Sequence, residues 1–301
     1  MDTIDGMRTF VAVISEGSFS AAAGRLDMSP QLVSKYVGQL EARLGARLLN
    51  RSTRRLSITE AGQAYYERCR YILDEIDEME NAVGEATLKA QGLLRINAPM
   101  SFGALHLAKA IADYQRVQPH VSVNLTLDDR TVDIVSEGYD MAIRIGRLSE
   151  SSLIARKLAP VKLVVCAAPG YFRERGTPTS PEDLKSHECL AYAYYSENDR
   201  WRFKAKDGTQ HEVRIKGRFS ANNGDALVAA ASAGLGIVIS PTFIVAEALR
   251  RGQLVEILAD FRRAAVPIHA VYPPGRLPPH RVQVITAFLR EHSLRITGPT
   301  L

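Results

Sequence analysis

Five arginines crowd one short stretch of the chain: Arg43, Arg47, Arg51, Arg54 and Arg55, with no acid between Glu41 and Glu60. Long cations at that density suit phosphate oxygens, which accept charge-assisted hydrogen bonds from guanidinium groups. A solvated charged face would carry the same residues, so the segment before them decides. There, Gln31, Ser34 and Lys35 offer small polar and basic groups on what reads as the exposed side of a helix, the types that meet base edges and phosphates in a major groove. Two further groups lie downstream. Pro99-Met100-Ser101-Phe102-Gly103 and Ser220-Ala221-Asn222-Asn223-Gly224-Asp225 stand where strand-like runs hand over to helix-like ones, and free amides at such handovers hold anions. Arg144 and Arg147, beside Gly146, add cations of the same use.

The elements that must position the first group are helices. In residues 2–15, Ile4, Met7, Phe10, Val11 and Ile14 recur at spacings of three and four, one apolar stripe, ended by Glu16-Gly17. Ser18 caps a short alanine-rich helix over 19–26. Asp27-Met28 makes the turn, and Ser29 followed by Pro30 starts a third helix that runs to Leu44 before Gly45. Val33, Val37, Leu40 and Leu44 are expected to face inward, leaving Gln31, Ser34, Lys35 and Gly38 outward. Residues 48–62 then read as an arginine-loaded hairpin, the wing of a DNA-reading head.

From Phe10 to Gly62 the chain resembles LysR-type transcriptional regulators. The residues that carry this are Gly17-Ser18-Phe19-Ser20-Ala21-Ala22-Ala23, Leu26, Ser29, Val33-Ser34-Lys35, Leu40-Glu41, Leu44-Gly45, Leu48-Leu49, Arg51 and Thr59-Glu60-Ala61-Gly62. The resemblance implies an α/β multidomain chain: a winged helix-turn-helix over 1–60, a long linker and dimerisation helix over 61–90, and a two-lobed α/β effector-binding domain over 91–301. That domain is similar to type 2 periplasmic binding proteins, with lobe 1 over 91–164 and 268–301 and lobe 2 over 165–267. The resemblance further implies DNA contacts at Ser29, Pro30, Gln31, Ser34, Lys35, Arg51, Thr53 and Arg54, and an effector held between the lobes at Ser101, Phe102, Arg144, Gly146 and Asn222. Pro30-Gln31 reverses a common Gln-Pro order, and Lys35 stands where arginine is usual.

Tyr65, Cys69, Ile72, Ile76, Met79, Val83, Ala86 and Ala90 step by four and three, a narrow seam suited to pairing with a second copy. A homodimer through this helix is expected, reading an interrupted palindrome of double-stranded DNA; the resemblance adds pairing into homotetramers. Beyond Gln91-Gly92, runs at 94–98, 121–127 and 140–145 read as strands, 132–137 as a helix, 201–205 and 212–215 as a hairpin about Asp207-Gly208, and 233–239 as a strand leading to a Ser240-Pro241 cap.

The 301 residues are 46% hydrophobic and 24% charged, with 38 Lys/Arg against 33 Asp/Glu. The surplus sits in residues 91–301, which favours an anionic small-molecule effector. No long apolar run or leader is seen, so neither membrane span nor export is expected and the chain is assigned to the cytoplasm. Cys69, Cys166 and Cys189 lack CxxC spacing or a His-rich partner and are read as buried thiols rather than a disulfide or zinc set, with redox sensing as the alternative. GxSxG, GxxxxGK[ST], HExxH and a helix-opening GxGxxG are all missing, so no enzyme and no cofactor is expected. A solute-binding transport protein would lack the DNA-reading head. An architectural DNA binder without effector sensing would lack so large a C-terminal part.

Overall fold

The computed structural model describes residues 2–51, 56–84, 90–146, 148, 152–194, 199–261, 263–274 and 278–296. The chain divides into two compact units, Met1–Lys89 and Ala90–Leu301.

In the first unit, α1 (Thr3–Glu16) stops at Gly17, whose φ of +71° suits a residue without Cβ. Ser18 Oγ accepts from the Ala21 amide and starts α2 (Phe19–Leu26). Ser29 does the same for the Leu32 amide at α3 (Pro30–Leu44). Each cap is worth about 1 kcal/mol. Between them Asp27 adopts the left-handed φ of +52° that closes the turn. Phe10, Val13, Ala22, Val33, Val37 and Leu40 form the core, with Leu48, Leu49 and Tyr66 closing it. Two expectations are corrected. The fully buried residues of α1 are Gly6, Thr9, Phe10, Ala12 and Val13, with Val11 and Ile14 packed partly buried beside them, and Ile4 and Met7 stay outside this core because small residues admit the neighbouring helices more closely. Leu44 is 39% exposed, since the helix ends there and the chain turns away at Gly45.

β1 (Leu49–Arg51) and β2 (Leu56–Ile58) pair antiparallel, Leu49 opposite Ile58. Glu41 of α3 pins the start of this hairpin: its Oε1 accepts from the amides of Leu48 at 2.8 Å and Leu49 at 3.1 Å. Thr59 Oγ1 donates to the Arg47 carbonyl and accepts from the Gly62 amide, so the strand passes straight into α4 (Glu60–Gly84). Gly62 has to be glycine, because a Cβ there would lie 2.1 Å from the Leu48 carbonyl oxygen. Tyr66, Cys69 and Leu73 are the buried side of α4, while Ile72 is 41% exposed. Ala86 falls outside the described residues.

The second unit contains two five-stranded mixed sheets and a separate two-stranded one. β3 (Gly92–Ala98) leads into a continuous helical stretch: α5 (Met100–Phe102), a π-turn over Gly103–Leu107, and α6 (Ala108–Val117). Then follow β4 (Val121–Leu127), β5 (Met141–Ile145) and β6 (Ile154–Val161). β7 (Leu163–Ala167), α7 (Pro169–Arg175), a 3-10 turn over Pro181–Ser186 and β8 (Cys189–Tyr192) open the second sheet. β9 (Arg200–Lys204) and β10 (Gln210–Arg214) make the hairpin; β11 (Ser220–Ala221), α8 (Gly224–Ser232), β12 (Ile237–Pro241), α9 (Thr242–Arg250) and β13 (Val255–Ile257) complete the lobe. β14 (Val266–Tyr272) and α10 (His280–Ile296) return to the first sheet.

The sheet orders are β4-β3-β5-β14-β6 and β11-β8-β12-β7-β13. In each, the first three strands run parallel, the fourth runs antiparallel to them and the fifth pairs antiparallel with the fourth. The chain crosses between sheets at Lys162 and again between β13 and β14. α6 and α10 cover one face of the first sheet, burying Ile96, Ile111, Tyr114, Ile143, Ile268 and Ile285. The second sheet buries Trp201, Phe203 and Ile237 on one side and Val164, Leu227 and Val245 on the other. Such side chains each contribute about 1.5–3 kcal/mol.

Three local expectations differ here. Residues 132–137 form a turn closed by Asp133 and Ile134 carbonyls, too short a segment to gain a helix's cooperative bonds. Residues 233–236 end α8 rather than beginning a strand, because Gly234 takes φ +86°. Ser240 lies buried within β12, so Pro241, not Ser240, occupies the start of α9.

Candidate functional site

In the first unit, α3 presents Gln31 and Lys35 to solvent, with Ser34 and Gly38 half-buried beside them. Ser29 and Pro30 are also exposed but are held in place, since the Ser29 hydroxyl is occupied by the Leu32 amide. The register that exposes Gln31 and Lys35 is set by Val33, Val37 and Leu40, each 0% exposed on the opposite face. A short turn joins α2 to this helix, and the β1–β2 hairpin follows it. The Arg51 backbone pairs with Leu56. The Arg51 side chain and all of Thr53, Arg54, Arg55 and Arg147 lie outside the described residues.

In the second unit, the carboxyl ends of the parallel strands of the two sheets meet. That edge is where open α/β sheets hold ligands. Pro99, not Ser101, takes the cap position of this helix, and the Met100 amide donates to Asp129 Oδ1 at 2.9 Å. This releases the Ser101 hydroxyl, which donates to Asp225 Oδ2 at 2.6 Å in the other lobe. Asn223 bridges the same gap: its Oδ1 caps α8 at the Ala226 amide, and its Nδ2 donates to Asp129 Oδ2 at 3.1 Å. Asn222 Nδ2 donates to the Tyr194 hydroxyl at 3.2 Å. Burial, with Asp129 next in size, raises the Tyr192 phenol well above its ordinary value.

Phe102 lies 3% exposed in the core of the first lobe, its ring 5.6 Å from Phe243 of α9. His106 packs against both rings. Its Nε2 is buried without a hydrogen-bond partner, and burial pulls its imidazole below the ordinary value. Arg144 Nη1 donates to Asn97 Oδ1 at 2.6 Å. Burial lowers the Arg144 guanidinium, opposed by Asp128, Glu137 and Tyr139. Gly146, φ +116°, donates its amide to the Pro267 carbonyl.

Ser101 and Asn222 therefore sit on the two sides of one inter-lobe edge, while Phe102 serves the packing beneath it. Asn223 and Asp225 lie in a stretch singled out from the sequence without being assigned as contacts, and Asp129 was not picked out. Asn223 carried a signal, being three residues ahead of Ala226 and followed by Gly-Asp at a helix start. Nothing local marks Asp129, whose role depends on a loop 29 residues from Met100. Cys69, Cys166 and Cys189 are buried free thiols, and burial raises them to about 11, about 12 and about 12, so none is a thiolate at neutral pH.

A helix-turn-helix with a hairpin wing, joined to a unit of two similar sheets meeting at their ligand edges, defines a transcription regulator with a DNA-binding domain and an effector-binding domain. The chain belongs to the LysR family. Residues 4–63 match the bacterial regulatory helix-turn-helix protein, lysR family, and residues 89–294 match the LysR substrate binding domain. It is 37% identical over 286 residues to an uncharacterized HTH-type transcriptional regulator of Haemophilus influenzae, covering 95% of this chain and 99% of that one. It is 34% identical to the HTH-type transcriptional activator AaeR of Escherichia coli over 98% of this chain and 96% of that protein. The solved structure of CrgA, a LysR-type transcriptional regulator from Neisseria meningitidis, is similar with a TM-score of 0.60 and 32% identity, covering 97% and 98% of the two chains. Among the described residues no helix is long and apolar enough to cross a membrane.

Proposed function

We propose that the first turn of α3 reads bases through Pro30, Gln31, Ser34 and Lys35, with Ser29 setting its start and Arg51, Thr53 and Arg54 of the wing binding phosphates. The exposure of Gln31 and Lys35 opposite a fully buried Val33–Val37–Leu40 face is the observation that carries this reading. The reading head covers 1–60, the linker 61–90 and the regulatory domain 91–301. α4 pairs two copies, an assignment supported by the exposed Ile72 on its seam side. A dimer places two heads on an interrupted palindrome, and two dimers make a tetramer.

The effector binds at the edge between Ser101 and Asn222, with Arg144 and Gly146 on the first lobe and Phe102 packed below. The cation surplus of residues 91–301 favours an anionic effector. Its anionic group takes the Ser101 hydroxyl by displacing Asp225. The chain works by binding and carries out no catalysis.

Selection of bound fragments from genomic DNA with the purified protein, at two salt concentrations, tests the reading. A palindromic motif is the expected result, and the neighbouring genes then narrow the effector. Sequence-blind, steeply salt-dependent association would overturn base reading and favour an architectural binder.

A further inference from the structure

The chain nets +5, and the twenty residues 199–218 hold seven Lys/Arg against three Asp/Glu, or +4 of that total. This segment is the β9–β10 hairpin and its exit, in the regulatory unit, and it does not belong to either five-stranded sheet. Its inner face is apolar: Trp201, Phe203, Val213 and Ile215 are all at most 6% exposed and pack in the second lobe's core. Its outer face is cationic. Arg200, Arg202, Lys204 and Arg214 alternate with those buried residues, and Lys216 and Arg218 continue the row.

Hairpin stability does not account for this choice. Register sets Arg200 directly opposite Arg214, a like-charge cross-strand pair that costs stability. The local acids are shared or peripheral: Glu212 serves both Arg200 at 3.2 Å and Arg202 at 2.7 Å, and Asp199 meets Arg214 at the rim. Arg214 and Arg218 remain 78% and 86% exposed despite their acidic neighbours. A surface built for solubility mixes its signs. This one sets six cations, Arg200, Arg202, Lys204, Arg214, Lys216 and Arg218, against Glu212 alone on the face, with Asp199 and Glu188 at its edges.

We propose that the outer face of the β9–β10 hairpin is a second DNA contact, binding the phosphodiester backbone without reading sequence. Charge complementarity names a polyanion, and the one polyanion this family is built to hold is DNA. Once the reading head has bound, the tether keeps that DNA at high effective concentration, so even weak phosphate contacts become occupied. The hairpin thereby adds affinity and salt dependence while the reading head supplies the choice of site.

The test uses the full chain and mixed-sequence duplex DNA several helical turns long. The variant is Lys204→Gln, Lys216→Gln and Arg218→Gln together; all three side chains are exposed, so folding is unaffected and thermal melting verifies it. The control neutralises three exposed cations elsewhere in the same unit: Lys109→Gln, Arg116→Gln and Arg173→Gln. If each hairpin cation neutralises one phosphate, the slope of log affinity against log salt becomes shallower by about 2–3, so that between about 50 and 200 mM salt the wild type loses roughly 40-fold more affinity than the variant. Equal slopes for variant and control overturn the proposal. So does an unchanged DNA slope with lost binding to polyglutamate, which would assign the face to an acidic protein partner. A Lys204→Arg, Lys216→Arg variant keeps the wild-type slope if charge is what matters.

Discussion

The hydroxyl of Ser101 donates to Asp225 Oδ2 at 2.6 Å, across 124 residues of sequence and from one lobe to the other. A carboxylate of the protein thus occupies the acceptor position beside the most buried polar group of the inter-lobe edge, Ser101 being 5% exposed. The same contact ties the two lobes to each other.

Asp225→Ala is therefore expected to loosen residues 100–107. Asp225 is itself exposed, which reduces a charge-assisted bond to about 1 kcal/mol, and amide exchange in that segment quickens about fivefold. Asp225→Asn retains an acceptor and changes less. Mass-spectrometric exchange of the two variants reads the difference, and identical protection in Asp225→Ala and wild type would contradict it.

Asn97 is 0% exposed, and its Oδ1 is the acceptor for Arg144 Nη1 at 2.6 Å. Its own Nδ2 and Arg144 Nη2 are already buried without partners. Asn97→Ala adds a further weakened donor to that group, whose remaining acceptor is the Ile143 carbonyl at 3.2 Å. A loss of about 2 kcal/mol in unfolding free energy is expected by urea titration. Asn97→Asp keeps the acceptor beside the guanidinium and loses less.

The first unit is largely legible in the amino-acid order because its signals are local. Ser18, Ser29, Gly17 and Gly45 punctuate helices whose ends they mark within a residue. Phe10, Val11 and Ile14 of the expected α1 stripe do pack in the core, but periodicity weighs Ile4 and Met7 above Gly6 and Thr9, and it is close helix approach that decides which side is buried most deeply. In the second unit the strands at 121–127 and 141–145 follow from alternation and apolar runs. The inter-lobe edge does not. Ser101 was visible as a polar residue at a helix start, but its partner Asp225 is chosen by the meeting of two sheets, which no window of sequence contains.

Burial holds His106, His187 and His269 below the ordinary imidazole value of 6.5. Each stays neutral in the folded chain where the unfolded chain takes up a proton. The unfolded state then binds more protons, so stability rises with pH between the lowered folded values and 6.5, and is lost as pH falls through that window. Asp133, Asp183 and Asp207 are held below the ordinary aspartate value of 3.8 mainly by backbone amides, so their contribution is lost only as pH falls below that value. His106→Leu fills the site between Phe102 and Phe243 with an apolar group and removes one titration. Urea midpoints measured at about pH 7 and pH 5 should differ less in the variant than in the wild type. Equal differences would mean that His106 takes up its proton without cost to the fold.

Lys35 and Arg51 are expected to fail in different ways. Lys35 is exposed in the second turn of α3, six residues beyond the Ser29 cap, with its backbone fixed by the buried Val33 and Val37 on either side. A side chain so placed approaches one base step, and its loss costs about 1–3 kcal/mol on the preferred sequence while random DNA is bound nearly as before. Arg51 ends β1, a strand whose start is pinned by the Glu41 carboxylate. A wing arginine meets phosphate, so Arg51→Ala weakens specific and random DNA alike and makes the salt slope shallower by about 1. Fluorescence anisotropy with the selected motif and with a scrambled duplex separates the two patterns. If Lys35→Ala lost the same factor on both duplexes, Lys35 would be a phosphate contact, and base reading would rest on Gln31 and Ser34.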